Sequence, residues 1–290
     1  MYSNGEELIA LANTQNKKIY EIVIDYEADR TGKTKEEIVG NMRSVLNVMI
    51  DSAEKGLNEE VNSISGLIGG NAKKVQDYLN ENSNLSGYVI NKAMARALSV
   101  SEVNASMGRI VAAPTAGSSG ILPSVVITAA EVLNKDKDDM VNALFTASGI
   151  GQIISKNATV SGAEGGCQAE CGSAAAMAAA AVVEMAGGTP EQALHAAAIC
   201  IQNILGLVCD PVAGLVEAPC YLRNSSGAVN ALTSADLALA GVRSIIPFDE
   251  VVDAMYRVGK ALPFELRETA LGGIAATPTG IKLKNKIFGE

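Results

Sequence analysis

The chain has no tryptophan, and aromatic residues of all kinds make up only 4% of its 290 positions. Hydrophobic residues still reach 48%, so the apolar weight falls on Ala, Val, Ile, Leu and Met, with 28 Gly beside them. Side chains of that size fill little space, and a core made from them must bring backbones close together. Charge is also scarce, at 19% of residues, against about 25% in an average soluble domain. Bases are the scarcer sign: 23 against 32 acids, for a net charge of −9. That balance argues against a nucleic-acid partner and against an anionic membrane surface, since both call for a basic patch. The high apolar fraction excludes a disordered chain.

Long hydrophobic runs are missing. The longest, 174–186, spans thirteen residues and is interrupted by Glu184, whereas a bilayer crossing needs roughly 20. It is expected to be a core helix. The opening residues MYSNGEELIALANTQNKKI have no basic head, apolar block and small-residue cleavage site, so the expected location is the cytoplasm. In a reducing compartment the five cysteines are expected as thiols or ligands rather than disulfides.

Period-2 strand patterns are missing as well, while helical spacing recurs throughout. The expected fold class is therefore all-α, a single helical domain over 1–290 with Gly/Ser/Thr-rich loops gathered at the site. Residues 1–60, the most charged part, could form an N-terminal helical appendage. Thr34 with Glu37 fits a capping box ahead of Ile38, Met42, Val45, Leu46 and Met49. Residues 63–70 read as a turn-rich segment, with helices expected over about 72–80 and 88–98. A loop dense in small residues covers 104–120. A helix from 122 to about 133 and a surface loop over 134–139 follow. Thr189-Pro190 marks a further helix start. From Met140 to Leu222 there is one Lys or Arg, Lys156, against six acids, which marks the protein interior.

Residues able to carry chemistry are few. Cys167 stands in Gly165-Gly166-Cys167-Gln168-Ala169-Glu170, Cys209 before Asp210-Pro211, and Cys220 after Pro219. All three are expected at helix ends or in Pro/Gly loops, with Cys209 where Pro211 ends the preceding helix. Thiolates are the usual ligands of iron–sulfur clusters, and three of them would leave one iron open as a Lewis acid. Equally, all five cysteines could be small buried hydrophobes, since no C-x2-C pair is present. Cys171 and Cys200 read as packing residues. The loop 114–120 lacks the Gly-Lys-Ser/Thr of a phosphate loop. Its small residues suit either a backbone cradle for an anion such as a carboxylate or a tight turn, and the same holds for 65–70. His195 is the only histidine, and its Ala and Leu neighbours describe a core residue. Lys156 could hold a substrate carboxylate or neutralise a buried acid.

Three strings are more specific. They are Asn104-Ala105-Ser106-Met107-Gly108-Arg109 with Ala112 to Gly120, Ser161 to Glu170, and Gly206 to Cys220. In that order they resemble the alpha chain of bacterial iron–sulfur-dependent L-serine dehydratase, and the resemblance runs over essentially the whole chain. It implies a helical fold and deamination of L-serine to pyruvate and ammonia with a [4Fe–4S] cluster. Cys167, Cys209 and Cys220 match the family's cluster ligands. Ser65, Gly66, Thr115, Ala116, Gly117 and Ser118 are the implied substrate-binding residues, with Lys156 and Asn157 as catalytic candidates. An open iron would act on the serine hydroxyl while a base removes the α-proton. Single-chain relatives tend to carry Glu-His where this sequence has Gln202-Asn203, and two-chain members hold a histidine-containing module on a beta chain. A beta-chain partner that brings the base is therefore expected. Two alternatives stay open on the sequence: a non-catalytic iron–sulfur sensor or assembly subunit, and the same lyase chemistry on threonine or another β-hydroxy amino acid. One methyl is worth only about 1–3 kcal/mol of discrimination.

Overall fold

The computed structural model describes residues 2–80 and 84–289. Among them are thirteen α-helices and no strand, with two isolated β-bridges, Asn62 to Gly69 and Cys209 to Arg267. The all-α expectation holds.

Local chemistry sets the helix boundaries. Helix α1 (Gly5–Gln15) is capped by Asn4, which accepts from Glu7 N, and closes on left-handed Asn16. Next come α2 (Ile19–Thr31) and α3 (Lys35–Asn58); α3 opens on the Thr34/Glu37 capping box that the spacing predicts. After the turn at 62–70 follow α4 (Asn71–Leu79) and α5 (Gly87–Ala105), then α6 (Ile121–Leu133) and α7 (Lys137–Asn157). The acidic loop is shorter than the sequence suggests. Asp136 accepts from Asp138 N and Asp139 N at 2.8 and 3.0 Å, so the helix already starts at Lys137. A short α8 (Gly162–Gly165) and a π-helical turn, Gln168–Gly172, lead into α9 (Ser173–Met185). The chain finishes with α10 (Pro190–Gln202), α11 (Cys220–Leu239), α12 (Phe248–Ala261) and α13 (Pro278–Phe288).

Helix α9 is the axis of the molecule. All its residues are buried, and α6, α7, α10 and α11 pack around it. Ala at most of its positions permits this, because the partner helices meet little more than Cβ atoms. The core is continuous from Leu8, Ile19 and Val23 to Phe248 and Met255, and α2 packs on α7 while α3 packs on α5 and α7. One segment, 116–133, is long and apolar enough to cross a membrane, yet 78% of it is buried within the protein. It serves as a core element.

Two buried acids act as helix caps from a distance. Glu102 on α5 accepts from Asn71 N at 2.6 Å, at the start of α4. Glu184 on α9 accepts from Ile19 N and Tyr20 N, at 2.5 and 3.2 Å, at the start of α2, and from the Thr146 hydroxyl of α7. Each places a carboxylate at the positive end of a helix dipole. Arg96, 2% exposed, is the buried cation, held by Glu54, Glu131 and the Thr128 hydroxyl.

Glu184→Ala removes the acceptor of the buried Ile19 N, the half-buried Tyr20 N and the Thr146 hydroxyl and is expected to cost about 2–4 kcal/mol, readable as a lowered midpoint in urea. Burial raises the Glu184 pKa above its ordinary 4.5, against the pull of its Thr146 and backbone hydrogen bonds. The folded state then holds this proton more tightly than the unfolded state. Its contribution is full below pH 4.5 and is lost as pH rises through the raised pKa. The stability gap between wild type and Glu184→Gln should narrow over that range.

Candidate active site

Three segments, 42 and 11 residues apart in sequence, bring thiols together. Cys167 sits between α8 and the π-helical turn, Cys209 in the extended stretch after α10, and Cys220 at the first residue of α11. They are 3%, 3% and 8% exposed. Each lies in the electrostatic neighbourhood of the other two. Cys209 does not follow directly on a helix, as Pro211 suggested. Helix α10 already ends at Gln202, and Gly206 takes a φ of +86°, the left-handed region that favours glycine. From there the chain runs extended, and Cys209 pairs with Arg267.

Glu170, on the π-helical turn, joins the thiols to the small-residue loop. Its Oε1 accepts from Thr115 Oγ1 at 2.6 Å, and its Oε2 lies 3.8 Å from Cys209 Sγ. Thr115 Oγ1 and Ser118 Oγ are 3.2 Å apart. A Cβ on Gly117 would come within 2.9 Å of Glu170 Oε1, and one on Gly162 within 2.7 Å of Oε2 and 3.0 Å of Cys209 Sγ. Both glycines let backbone close directly on the carboxylate. Asn224 of α11 pins the loop, donating to Gly117 O at 2.7 Å and Cys220 O at 2.9 Å and accepting from Gly120 N at 2.8 Å.

Burial dominates the electrostatics. It pushes the Cys220 thiol up to about 12 and raises Cys209 further, with Glu170 adding to both shifts. It also raises Glu170, which the Thr115 hydrogen bond opposes. Cys167 is lowered by the Cys171 thiol and by Arg223. Arg223 is the site's cation, donating to Val208 O and to Asp210 Oδ1 at 2.7 Å each.

The other predicted residues are spread more widely. Ser65 donates to buried Glu217 at 2.6 Å. Ser65, Gly66, Ala116 and Glu217 share a cavity of about 730 Å³ with Asn104 and with Lys286 of α13. Lys156 Nζ donates to Ser3 Oγ at 2.6 Å and Asn157 Nδ2 to Ser3 O at 2.8 Å. Those two thus hold the N-terminal segment, and Lys156 opens on a separate cavity of about 570 Å³ that reaches Pro114. His195 is half-buried rather than a core residue. It lies in a surface recess with Glu191 and Arg243, its pKa lowered by burial and then by Arg243. Helix α10 turns that side outward while Ala193 and Ala196 face the core. Cys200 is fully buried in α10, bonded toward Ala175 O. Sequence reading missed Glu170, Glu217, Arg223 and Asn224 as site residues. The first two were legible as acids inside a nearly base-free stretch.

The site is thus a set of three converging buried thiols beside a hydroxyl-rich loop in an all-helical protein. Comparison with known families is more specific. Residues 14–275 match the family model of the serine dehydratase alpha chain, and the protein belongs to that family. It is 53% identical over 290 residues to the L-serine dehydratase alpha chain of Peptoniphilus asaccharolyticus, covering 100% of this chain and 99% of that one. A probable L-serine dehydratase alpha chain of Bacillus subtilis is 52% identical over 289 residues, covering 100% and 96%. The L-serine dehydratase of Streptomyces coelicolor is 36% identical over 282 residues, which are 94% of this chain but 60% of that longer protein.

Gly162→Ala is expected to leave helical content intact, since this glycine has an ordinary backbone conformation. Its methyl would press on Glu170 and Cys209, at a cost of about 1–3 kcal/mol. Circular dichroism and the urea midpoint would read the two effects separately; an unchanged midpoint would speak against a tight fit here.

Proposed function

We propose that this chain deaminates L-serine to pyruvate and ammonia as a cytoplasmic enzyme, holding a [4Fe–4S] cluster on Cys167, Cys209 and Cys220 and working with a beta chain. The observation that carries the reading is the convergence of these buried thiols with the Thr115–Ser118 loop through Glu170. The donor set fits the cofactor. It is all sulfur, comes from three segments, and faces a wall where Gly162 leaves no room for a Cβ. Among the described residues no three side chains stand close enough for a single metal ion, which would need thiolates about 3.8 Å apart. Loading removes the thiol protons that burial otherwise retains.

When bound by three cysteines, such a cluster supplies a Lewis-acidic iron for the serine hydroxyl. The chain's own residues do the rest. The hydroxyls of Thr115, Ser118 and Ser65 and the backbone around Gly66, Ala116 and Gly117 bind and orient the substrate's carboxylate and ammonium groups. Low exposure around Glu170 and the thiols excludes water and strengthens each polar contact. Lys156 and Asn157 take part once released from Ser3, Lys156 from the cavity that borders Pro114. His195 lies in a recess with Glu191 and Arg243, and it is not among the residues lining the cavities of Ser65 and Lys156, so an imidazole base for the α-proton has to come from elsewhere. A second chain brings it, in keeping with the 60% coverage of a longer relative named L-serine dehydratase.

Anaerobic loading of the isolated chain with iron and sulfide should give a cluster spectrum that L-serine perturbs, with little turnover until the partner is added. Ser118→Ala or Thr115→Ala should weaken serine about tenfold, one lost hydrogen bond, with cluster absorbance unchanged. Full turnover by the isolated chain would refute the partner's role, and failure to load with all cysteines reduced would refute the cluster.

A further inference from the structure

One thiol beside the site has no place in the proposed ligand set. Cys171 is 1% exposed and lies on the same π-helical turn as Glu170. Its Sγ is 3.3 Å from that of Cys167. Among the described residues no other two cysteine sulfurs make hydrogen-bond contact, for Cys209 turns to Glu170 and Cys200 to Ala175 O and Asn230 O. The two side chains face one another across this π-helical turn, as a disulfide requires. Forming the bond, about 2.05 Å long, closes the sulfur gap by little more than about 1 Å.

The geometry points to Cys167 and Cys171 as an oxidation site: in the cluster-free chain, peroxide closes a disulfide between them. The Cys167 sulfur attacks one peroxide oxygen. An S–O bond forms, the O–O bond breaks, and the departing hydroxide takes the thiol proton and leaves as water. The Cys171 sulfur then attacks the Cys167 sulfur. The S–S bond forms, the S–O bond breaks, and the Cys171 proton departs with hydroxide as a second water. Two thiols lose two electrons in all, and peroxide is reduced to two waters. Because Cys171 stands in contact, the sulfenic acid is captured before it reaches the irreversible sulfinic state. The bond itself requires only the two thiols. Its consequence, withdrawal of a ligand in recoverable form, rests on the proposed cluster site.

The test uses the full chain, stripped of metal under a reductant and exposed to hydrogen peroxide, then alkylated and cleaved after glutamate. Cuts after Glu164, Glu170 and Glu184 place Cys167 in peptide 165–170 and Cys171 in peptide 171–184. The expected product is these two peptides joined, two hydrogen masses below their sum, and separable by a dithiol. Separate peptides with alkylated or sulfinic cysteines, or Cys167 joined to Cys209 or Cys220, would overturn the proposal. Iron uptake after dithiol treatment gives a second readout. Wild type should recover its uptake, while Cys171→Ala and Cys171→Ser, which load normally before peroxide, should lose it. Equal recovery by both variants would also overturn the protective role. Joined peptides in a chain that never takes up iron would uphold the oxidation site and instead sink the cluster reading.

Discussion

Helix α9 has no exposed residue between Ser173 and Met185, so the helices around it stop only where Cβ atoms and backbones meet. That contact leaves no play at its N-terminal end, where the π-helical turn carries Glu170 and Cys171 and follows Cys167. Gln168, fully buried, anchors this end in three directions: its N–H donates to Leu207 O, its Nε2 to Met255 O, and its Oε1 accepts from Gly206 N, all within 3.0 Å. Helix α12 closes in as tightly, for a Cβ on Gly259 would lie 2.7 Å from Gly165 Cα. The shortage of aromatic bulk is thus the means by which a rigid frame reaches the site.

The shortage of bases has a similar meaning. Between Met140 and Leu222 the acids that fold inward, Asp210 apart, are satisfied without cations. Glu184 is met by helix N–H groups and a hydroxyl, and Glu170 by a hydroxyl and a thiol. Arg223, one residue past that stretch, is where positive charge enters. It is committed to Asp210 and Val208 O and stands beside Cys167. An uncompensated ammonium among these thiols would compete with any cationic metal for them, whereas a guanidinium paired to Asp210 keeps the local charge near balance.

How much of this was readable varies by the kind of signal. Helix class and several starts were legible, because capping chemistry is local: Thr34 with Glu37, and Thr189 with Pro190, act within one turn. The thiols were legible as candidates through their Gly and Pro neighbours, though spacing alone left them level with buried hydrophobes. What stayed hidden was long-range. Nothing near Ser65 tells that Glu217 will accept its hydrogen bond, 152 residues on, and nothing near Gly117 announces Asn224. His195 misled for the same reason. Its Ala neighbours describe a buried helix, but one side of α10 faces outward, and which side is a tertiary fact.

The segment around 266–274 shows how such long-range contacts fix a thiol. Cys209 N donates to Leu266 O at 2.9 Å, and Cys209 O accepts from Glu268 N at 2.7 Å, so both backbone groups of this cysteine are held by a strap some sixty residues later. Asp210 continues the clamp, accepting from Ile274 N at 2.7 Å with one oxygen and from Arg223 with the other. Gly273, at a φ of +58°, packs so close that a Cβ would fall 2.2 Å from Asp210 Oδ2. Arg223 lies three residues after Cys220 on the same helix and faces Cys167. Through Asp210 and Arg223, the strap is therefore joined to all three thiol-bearing segments. Displacing it would move Cys209 against the other two, and a set of thiols whose geometry depends on such a clamp is only as rigid as the strap's own packing.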